Sequence, residues 1–541
     1  MVNLCIWFLD GEKMSLFSLK KETWKVTFFV VVLAVIALVA FWWLKISTPY
    51  GLGLINDSSA YVGGAVNLLA GNGYSRISGG GEVKPTTHFP PMFSIILALI
   101  GLTGMDIIRA ARLVILVLYG INAVLVGISL LVITRRYSIS LLGAFLFATS
   151  SIFLRVHSML MSEPLFITLG LLSSLFLALF FYQKHRRWLF IAGLLAGCAA
   201  LTRYAGLALF LTAVLTIILL RRRLSPILLD ALVFLLGAWP LTLAWSLRNR
   251  LLTGTAANRQ LLWHPPAWSK IESGLFNFLD WLSPDGILTW FQEQKLAAYG
   301  FTLLLGLVFL ALMVYIWLRL FRDVPASRAE EAGEALLLNN QIYGIVYIGS
   351  ILATMALFDA STLFENRILA PMEVSFLIVI LAYISRWMEN RVLVIRVVGI
   401  LVLLVFAWFW AREGRQMVDI LRQDGQGFAG LSWRNSRTIE YIQTLPPDKT
   451  IYTNKSTGVF LLTGRNAYAI LSRTDPVTQK PRPNYAEELE KLHRDVQERR
   501  AVLIFFGADQ QTEPEDRAWL EDLRSGLTIF KKFTDSEVYD R

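Results

Sequence analysis

Isolated charged residues stand at the ends of long apolar segments in this sequence, and their types suit phosphate chemistry. Two are carboxylates, Asp57 and Glu163, and three are arginines, Arg203, Arg248 and Arg367. Arginine makes bidentate, permanently charged contacts to phosphate oxygens, whereas a carboxylate can take a proton from a hydroxyl or an amine. A charge inside a bilayer costs about 2.5–3.5 kcal/mol, so such residues persist near a membrane mainly at functional positions. The pattern therefore predicts a site that binds a phosphate and holds a general base.

Each of these residues also has a structural alternative. Asp57 would cap a helix that begins at the next residue, and Glu163, which precedes a proline, would open an ordinary helix. The arginines would extend from the interface to the headgroups. Four further polar residues are more often ordinary loop residues than ligands: His88, His157, Asp359 and Glu365.

The elements that must position these residues are membrane-spanning helices. The chain has 541 residues, of which 55% are hydrophobic and 17% are charged, whereas about 25% are charged in an ordinary soluble domain. Apolar runs such as 28–44 approach the roughly 20 residues that a helix needs to cross the hydrocarbon core. We predict about eleven spans, at 26–44, 109–133, 140–156, 163–182, 188–202, 205–220, 227–246, 298–319, 341–358, 368–385 and 392–410.

The net charge of +11 belongs to the membrane part, because acids and bases nearly cancel after residue 411. Basic residues cluster between the apolar runs, which is the pattern of topology signals and not of nucleic-acid binding. With a cytoplasmic N-terminus (1–25), the following clusters all fall inside: 135–136, 184–187, 221–223, 319–322 and 386–391. We therefore predict a multi-pass protein of the plasma (inner) membrane whose candidate residues meet at the outer face.

Three long connections follow from this topology. The first outer loop, 45–108, contains an apolar stretch at 92–102 that is short for a span and is predicted to form an interfacial helix. The second outer loop covers 247–297. The third connection, 322–340, is predicted to be a polar loop on the inside without a chemical role.

From about residue 425 the composition becomes that of a soluble protein. Residue patterns predict strands at 450–454, 501–506 and 527–533, and helices at 486–499 and 514–523. An odd number of spans places this segment outside the membrane. We therefore predict a small extracytoplasmic α/β domain at 425–541.

Several short motifs are specific in combination. They are Asn56-Asp57-Ser58-Ser59-Ala60-Tyr61, His88-Phe89-Pro90-Pro91-Met92, Ser162-Glu163-Pro164-Leu165-Phe166, Leu201-Thr202-Arg203-Tyr204, Trp245-Ser246-Leu247-Arg248-Asn249 and Asn366-Arg367-Ile368-Leu369-Ala370-Pro371. Over about residues 25–410 they resemble the GT-C class of integral-membrane glycosyltransferases. Within it, the chain looks most like the superfamily of protein O-mannosyltransferases and aminoarabinose lipid A transferases, including its RgtA/B/C/D-like members.

The resemblance implies a GT-C-like transmembrane domain at 26–410. It also implies an inverting transfer of a sugar from a polyprenyl-phosphate donor to a glycan, lipid or protein outside the membrane. Asp57 would then be the base that deprotonates the acceptor. The donor phosphate would be held by Arg203, Arg248 or Arg367, and the sugar or acceptor by Glu163, His88, His157 and Tyr61.

The resemblance leaves metal dependence open. A divalent cation, Mg²⁺ or Mn²⁺, would be bound by Asp57, Glu163 and His88. Many relatives have two acidic residues at the first-loop motif, whereas position 56 is Asn in this chain. The motif around Arg367 also lacks the usual Tyr.

Three other kinds of protein are alternatives. A transporter or flippase for lipid-linked sugars commonly has internal repeats and mid-membrane polar residues, but this chain has no evident repeat and its charges cluster at one face. An oligosaccharide ligase or polymerase with a polyprenyl-diphosphate donor would carry similar arginines. A non-catalytic subunit would use its soluble tail to bind a partner.

Overall fold

The computed structural model describes residues 16–77, 83–221, 224–257, 259–283, 285–322, 327–388, 393–511 and 514–540. Residues 1–15 of the predicted cytoplasmic N-terminus lie outside the described residues, as do 222–223, 323–326 and 391 from the predicted inner clusters and loop. The membrane part contains helices α1 (Leu16–Ser47), α2 (Asn56–Leu69), α3 (Met92–Gly101), α4 (Ile107–Thr134), α5 (Tyr137–Thr149), α6 (Ser151–His157), α7 (Glu163–Gln183), α8 (Arg187–Ala200), α9 (Leu207–Leu220), α10 (Leu224–Thr253), α11 (Trp268–Leu282), α12 (Asp285–Glu293), α13 (Lys295–Arg322), α14 (Arg328–Leu357), α15 (Asn366–Trp387) and α16 (Leu393–Asp424). A 3₁₀ turn, Tyr204–Gly206, precedes α9.

Eight of the described helices are long and apolar enough to cross a membrane: α1, α4, α7, α10, α13, α14, α15 and α16. Helices α5 and α6 together form one further candidate span, bent by 59°. The two remaining predicted spans coincide with shorter apolar helices, α8 and 204–220. The predicted helical, polytopic fold is therefore confirmed.

Close helix contacts in the membrane part depend on small residues. Helices α8 and α10 cross where Gly193 faces Phe234, and a Cβ at Gly193 would lie 2.0 Å from the Phe234 carbonyl oxygen. Small residues are the usual means by which membrane helices approach closely, because lipid supplies no hydrophobic driving force between them. This contact holds α8, whose C-terminal end leads to Arg203.

The third connection differs from its prediction. Helix α14 begins at Arg328, capped by the Ser327 hydroxyl, so most of 322–340 is helical. Three described polar residues of this stretch are buried, namely Glu334, Asn339 and Asn340. Glu334 accepts hydrogen bonds from Arg319 at 3.4 Å and Arg386 at 2.7 Å, which joins three helices on one side of the molecule.

The first outer loop folds into α2, a two-stranded hairpin and α3. Strands β1 (Ser75–Ile77) and β2 (Val83–Pro85) pair antiparallel, with Ser75 opposite Pro85. The Thr86 N–H then donates to the Tyr74 carbonyl at 3.1 Å, which extends the hairpin toward the membrane part. Helix α3 coincides with the short apolar stretch that the sequence predicts to be helical.

The segment after residue 425 forms a mixed α/β layer. Its helices are α17 (Leu431–Arg434), α18 (Arg437–Thr444), α19 (Ser456–Thr463), α20 (Tyr485–Gln497) and α21 (Pro514–Arg524), and its strands are β3 (Thr450–Thr453), β4 (Tyr468–Ala469), β5 (Ala501–Phe506), β6 (Ile529–Lys532) and β7 (Ser536–Tyr539). The strand order is β4-β3-β5-β7-β6, parallel from β4 to β5 and antiparallel for the other two pairs. The three predicted strands are present, whereas β4 and β7 are additional.

This α/β segment contacts the first outer loop directly. The Phe428 N–H donates to the Leu54 carbonyl at 2.7 Å. Gly427 has a positive φ of 56°, and a Cβ there would lie 2.1 Å from the same carbonyl oxygen. Only glycine fits both the backbone conformation and the close approach. The contact fixes the chain just before α2, which begins the candidate site.

Candidate functional site

Asp57 lies in the first turn of α2 and faces the beginning of a distant helix. The helix starts at Asn56, and the Ser58 hydroxyl accepts a hydrogen bond from the Ile55 N–H at 3.0 Å. Asp57 therefore has no capping role, and that alternative is wrong. Instead, its carboxylate accepts a hydrogen bond from Arg367 Nη1 at 2.9 Å, and its side chain is 31% exposed.

Arg367 is the second residue of α15 and contacts two carboxylates. Its Nε donates to Glu365 at 2.7 Å, while Nη1 reaches Asp57. The preceding residue, Asn366, donates to Asp280 of α11 at 3.1 Å. Charge-assisted hydrogen bonds of this kind fix the orientation of a guanidinium. The first turn of α15 is thus held from both sides, with Arg367 on the side of α2.

Arg203 and Glu163 form a second ion pair beside the first. Glu163 opens α7, as predicted, and its Oε1 lies 2.7 Å from Arg203 Nη1. The Glu163 side chain is 1% exposed, so the carboxylate of this ion pair is almost completely shielded from solvent. Next to it, the Tyr61 and Ser162 hydroxyls are 2.8 Å apart, and burial raises the pKa of Tyr61 well above its ordinary value. Tyr61 therefore stays protonated and can donate a hydrogen bond.

A cavity of about 570 Å³ is lined by Asp57, Tyr61, Arg203 and Arg367 from among these residues. Its charged lining consists of three carboxylates and three arginines: Asp57, Asp359, Glu365, Arg203, Arg259 and Arg367. Helix α14 adds a polar stripe of Tyr347, Ser350 and Thr354, which share one face because they are three and four residues apart. Its volume lies in the range of small-molecule sites. The cavity therefore offers cations for an anionic ligand and a carboxylate for a proton.

Sequence reasoning missed Arg259 and interpreted Asp359 as an ordinary loop acid. Arg259 Nη2 lies 3.3 Å from Asp359 Oδ2 and 3.4 Å from His88 Nε2. Burial lowers the pKa of His88, and the Arg259 charge lowers it further. Arg259 is an isolated arginine in the second loop that is predicted to lie outside, where basic residues are less expected. That signal pointed to the other arginines and applies equally to this one.

Solved structures with this arrangement of helices were found, although the sequence matches no protein-family model and no curated protein. The archaeal oligosaccharyltransferase AglB from Archaeoglobus fulgidus, in complex with an inhibitory peptide and a dolichol-phosphate, superimposes with a TM-score of 0.54 at 12% identity, over 95% of this chain and 74% of that chain. ArnT from Cupriavidus metallidurans, in the apo state, superimposes with a TM-score of 0.50 at 15% identity, over 95% of this chain and 98% of that chain. The chain has the GT-C fold.

Three predicted site residues are not among the described residues that line the cavity of this GT-C fold: Glu163, His157 and Arg248. Glu163 is linked to the site through its ion pair with Arg203. His157 is fully buried at the end of α6, where Nδ1 lies 2.7 Å from the Phe153 carbonyl oxygen and Nε2 lies 3.1 Å from Asn122 Nδ2. Both ring nitrogens are occupied within the protein, so the geometry does not support contact with a sugar or acceptor. Arg248 donates to the carbonyls of Tyr74 and Thr86, each at 2.9 Å. It fastens the first outer loop to α10 and does not line the cavity.

The predicted metal ligands do not gather around a common point. Within the described ranges, no group of three His, Cys, Asp or Glu side chains is arranged to hold a metal ion. Each predicted ligand lies against an arginine: Asp57 against Arg367, Glu163 against Arg203 and His88 against Arg259. Guanidinium groups occupy the positions that a cation would need. The predicted Mg²⁺ or Mn²⁺ site therefore does not fit these residues as they are arranged.

Proposed function

We propose that this protein is an inverting membrane glycosyltransferase. In this proposal it transfers a sugar from a polyprenyl-phosphate donor to an acceptor on the extracytoplasmic side, which is a glycan, a lipid or a protein. The observation that carries the proposal is that the Asp57 carboxylate shares its cavity with Arg203, Arg259 and Arg367. The GT-C fold agrees with it, since AglB was solved in complex with a dolichol-phosphate.

The reaction needs one base and one anion site. An acceptor hydroxyl attacks the anomeric carbon while the bond from that carbon to the phosphate oxygen breaks. The proton of the hydroxyl passes to Asp57, and the bonding electrons leave with the polyprenyl phosphate. Arg203 and Arg367 stabilise the negative charge that grows on the leaving oxygen, because fixed cations in a partly dry site act more strongly than in water. A single displacement inverts the anomeric configuration.

Donor binding and base release are coupled in this mechanism. Arg367 pairs with Asp57 in the structure. A donor phosphate that takes up Arg367 weakens this pair, so the carboxylate becomes able to accept the acceptor proton. Tyr61, which stays protonated, can donate to a sugar oxygen at the same wall of the cavity.

A ligase with a diphosphate-linked donor is the second candidate. The observation in its favour is the likeness to the archaeal oligosaccharyltransferase, with a TM-score of 0.54. A diphosphate carries more charge than a monophosphate and would engage Arg259 as well. The two candidates therefore differ in whether Arg259 contributes to donor binding.

Mass spectrometry of the cell envelope tests the proposal. Deletion of the gene should cause one polyprenyl-phosphate sugar to accumulate and one envelope modification to disappear. Accumulation of a polyprenyl-diphosphate oligosaccharide would favour the ligase. Unchanged lipid-linked sugars and unchanged envelope glycans would refute both candidates.

A further inference from the structure

A second, smaller cavity of about 280 Å³ lies beside the main one. Its wall includes Arg76 of β1, Lys84 of β2 and Thr253 at the end of α10. His88 and Phe89 line both cavities, so these two residues separate them. A ligand that occupies the second cavity therefore lies within one side chain of the site that contains Asp57.

The second cavity is positively charged. Arg76 and Lys84 are directly opposite each other on the antiparallel strands, and such pairs project to the same face of a sheet. A third positive charge, that of Arg248, lies close to the cavity without lining it. Arg248 donates hydrogen bonds to the Tyr74 and Thr86 carbonyls of the hairpin region. No carboxylate is among the described residues that line this cavity.

The wall also contains a hydroxyl that lacks a hydrogen-bond partner. Thr86 lines the cavity, is 1% exposed, and its Oγ1 is buried without a partner among the described residues. A buried hydroxyl without a hydrogen-bond partner destabilises the folded protein. An oxyanion or a sugar hydroxyl in the cavity is the kind of ligand that would offset this cost.

We propose that the second cavity binds an oxyanion of the acceptor, a phosphate or a carboxylate carried on a sugar headgroup. The acceptor then enters over the hairpin, with its anionic group between Arg76 and Lys84. Its nucleophilic hydroxyl extends past His88 and Phe89 to Asp57. The assignment of this anion to the acceptor rests on the proposed glycosyl transfer. The anion site itself is argued only from the residues of the hairpin.

Binding of glucose 6-phosphate, with glucose as the neutral control, tests the anion site. The full-length protein in lipid nanodiscs should bind glucose 6-phosphate, and Arg76→Gln or Lys84→Ala should each weaken that binding about tenfold, the effect of one charge-assisted hydrogen bond. Both positions are exposed, so both variants should fold. Arg109 is an exposed arginine at the N-terminal end of α4 and provides the control. The variant Arg109→Ala should bind glucose 6-phosphate as strongly as the parent does. Equal binding of glucose 6-phosphate by the parent and both hairpin variants would overturn the proposal.

Undecaprenyl phosphate separates this site from the donor site. Arg76→Gln should bind undecaprenyl phosphate normally, and Arg367→Ala should bind glucose 6-phosphate normally. A different outcome is that Arg76→Gln weakens the binding of both ligands, with each ligand displacing the other. The bound anion would then be that of the donor, and the assignment to the acceptor would be wrong. If Arg367→Ala did not weaken the binding of undecaprenyl phosphate, the proposed donor site would be wrong. A loss of glucose 6-phosphate binding in Arg76→Gln would still support the anion site.

Discussion

Arg367 and Asp57 are 310 positions apart in the chain, yet Arg367 Nη1 lies 2.9 Å from Asp57 Oδ2 across the cavity. The contact joins the first turn of α2 to the first turn of α15. Both side chains remain partly exposed, at 31% for Asp57 and 22% for Arg367. A pair of this kind is less costly to open than a fully buried one, because water replaces part of the lost interaction. It is therefore suited to rearrange when a phosphate arrives.

Asp57→Asn should reduce sugar transfer by about 10²–10⁴-fold, the usual contribution of a general base. The amide retains the shape of the side chain and a hydrogen-bond acceptor for Arg367, but it cannot take a proton. Donor binding and thermal unfolding should change little. Transfer rates from radiolabelled polyprenyl-phosphate sugar, with donor binding measured in parallel, check this expectation.

Asp106→Asn is the matched control, because Asp106 caps α4 on the same side through Ile108 and Arg109. Asparagine caps a helix as well as aspartate does, so this variant should retain parental activity. Transfer by Asp57→Asn at the rate of the control would remove the base assignment.

Arg367→Ala and Arg203→Ala should raise the donor KM by about tenfold or more, since each removes a charge-assisted contact to phosphate. Arg203→Ala should also lower the thermal midpoint, because Glu163 would be left buried without its partner. The double variant Arg203→Ala/Glu163→Gln should recover much of that stability without recovering the KM. A recovery of both quantities would mean that Arg203 has a structural role alone.

The sequence identifies part of this site for a physical reason. Asp57, Glu163, Arg203 and Arg367 stand out because charge is expensive beside apolar segments, and the fold brings these four together. Arg259 is missed because it lies within a polar loop and not at the end of an apolar segment, although the scarcity of basic residues in predicted outer loops applies to it as well. A one-dimensional pattern also does not show whether a side chain already has partners within the protein.

His157 and Arg248 illustrate that limit. Each has the residue type and position of a ligand, but His157 faces Asn122 within the helices and Arg248 faces carbonyls of the first outer loop. Similarly, the polar composition of 322–340 predicts a loop, although residues such as Glu334 are buried in ion pairs. Tertiary partners decide these cases, and they are distant in sequence.

Helix α11 holds the segment that carries Arg367, which predicts a positioning role for Asn277. Its Nδ2 donates to the Phe364 carbonyl at 2.6 Å, three residues before Arg367. Asn277→Asp is nearly isosteric but loses the N–H donor, so it should raise the donor KM several-fold with a smaller effect on kcat. A change in kcat alone, with the donor KM unaltered, would contradict this role.

His88 should make stability depend on pH. Burial, and then Arg259, lower its pKa below the ordinary value of about 6.5. As the pH falls below about 6.5, the unfolded chain therefore binds a proton before the folded protein does. The folded state loses stability until the pH reaches the folded pKa. His88→Gln should reduce the loss in thermal midpoint between pH 7.5 and pH 5, and a loss equal to that of the parent would exclude His88 as its source.

The α/β segment should be accessible from outside the cell. It contacts the helix ends that surround the cavity, which are predicted to face outward, since the Ala360 N–H donates to the Val477 carbonyl at 3.0 Å, next to the cavity residue Asp359. In a chain whose other cysteines are replaced by serine, Lys480→Cys should therefore react with an impermeant maleimide in intact cells, because position 480 is exposed. A cysteine at Lys184, which lies among the predicted inner clusters, should react only after the cells are permeabilised. Labelling of position 184 but not 480 in intact cells would reverse the orientation, and would place Asp57 and its arginines on the cytoplasmic side.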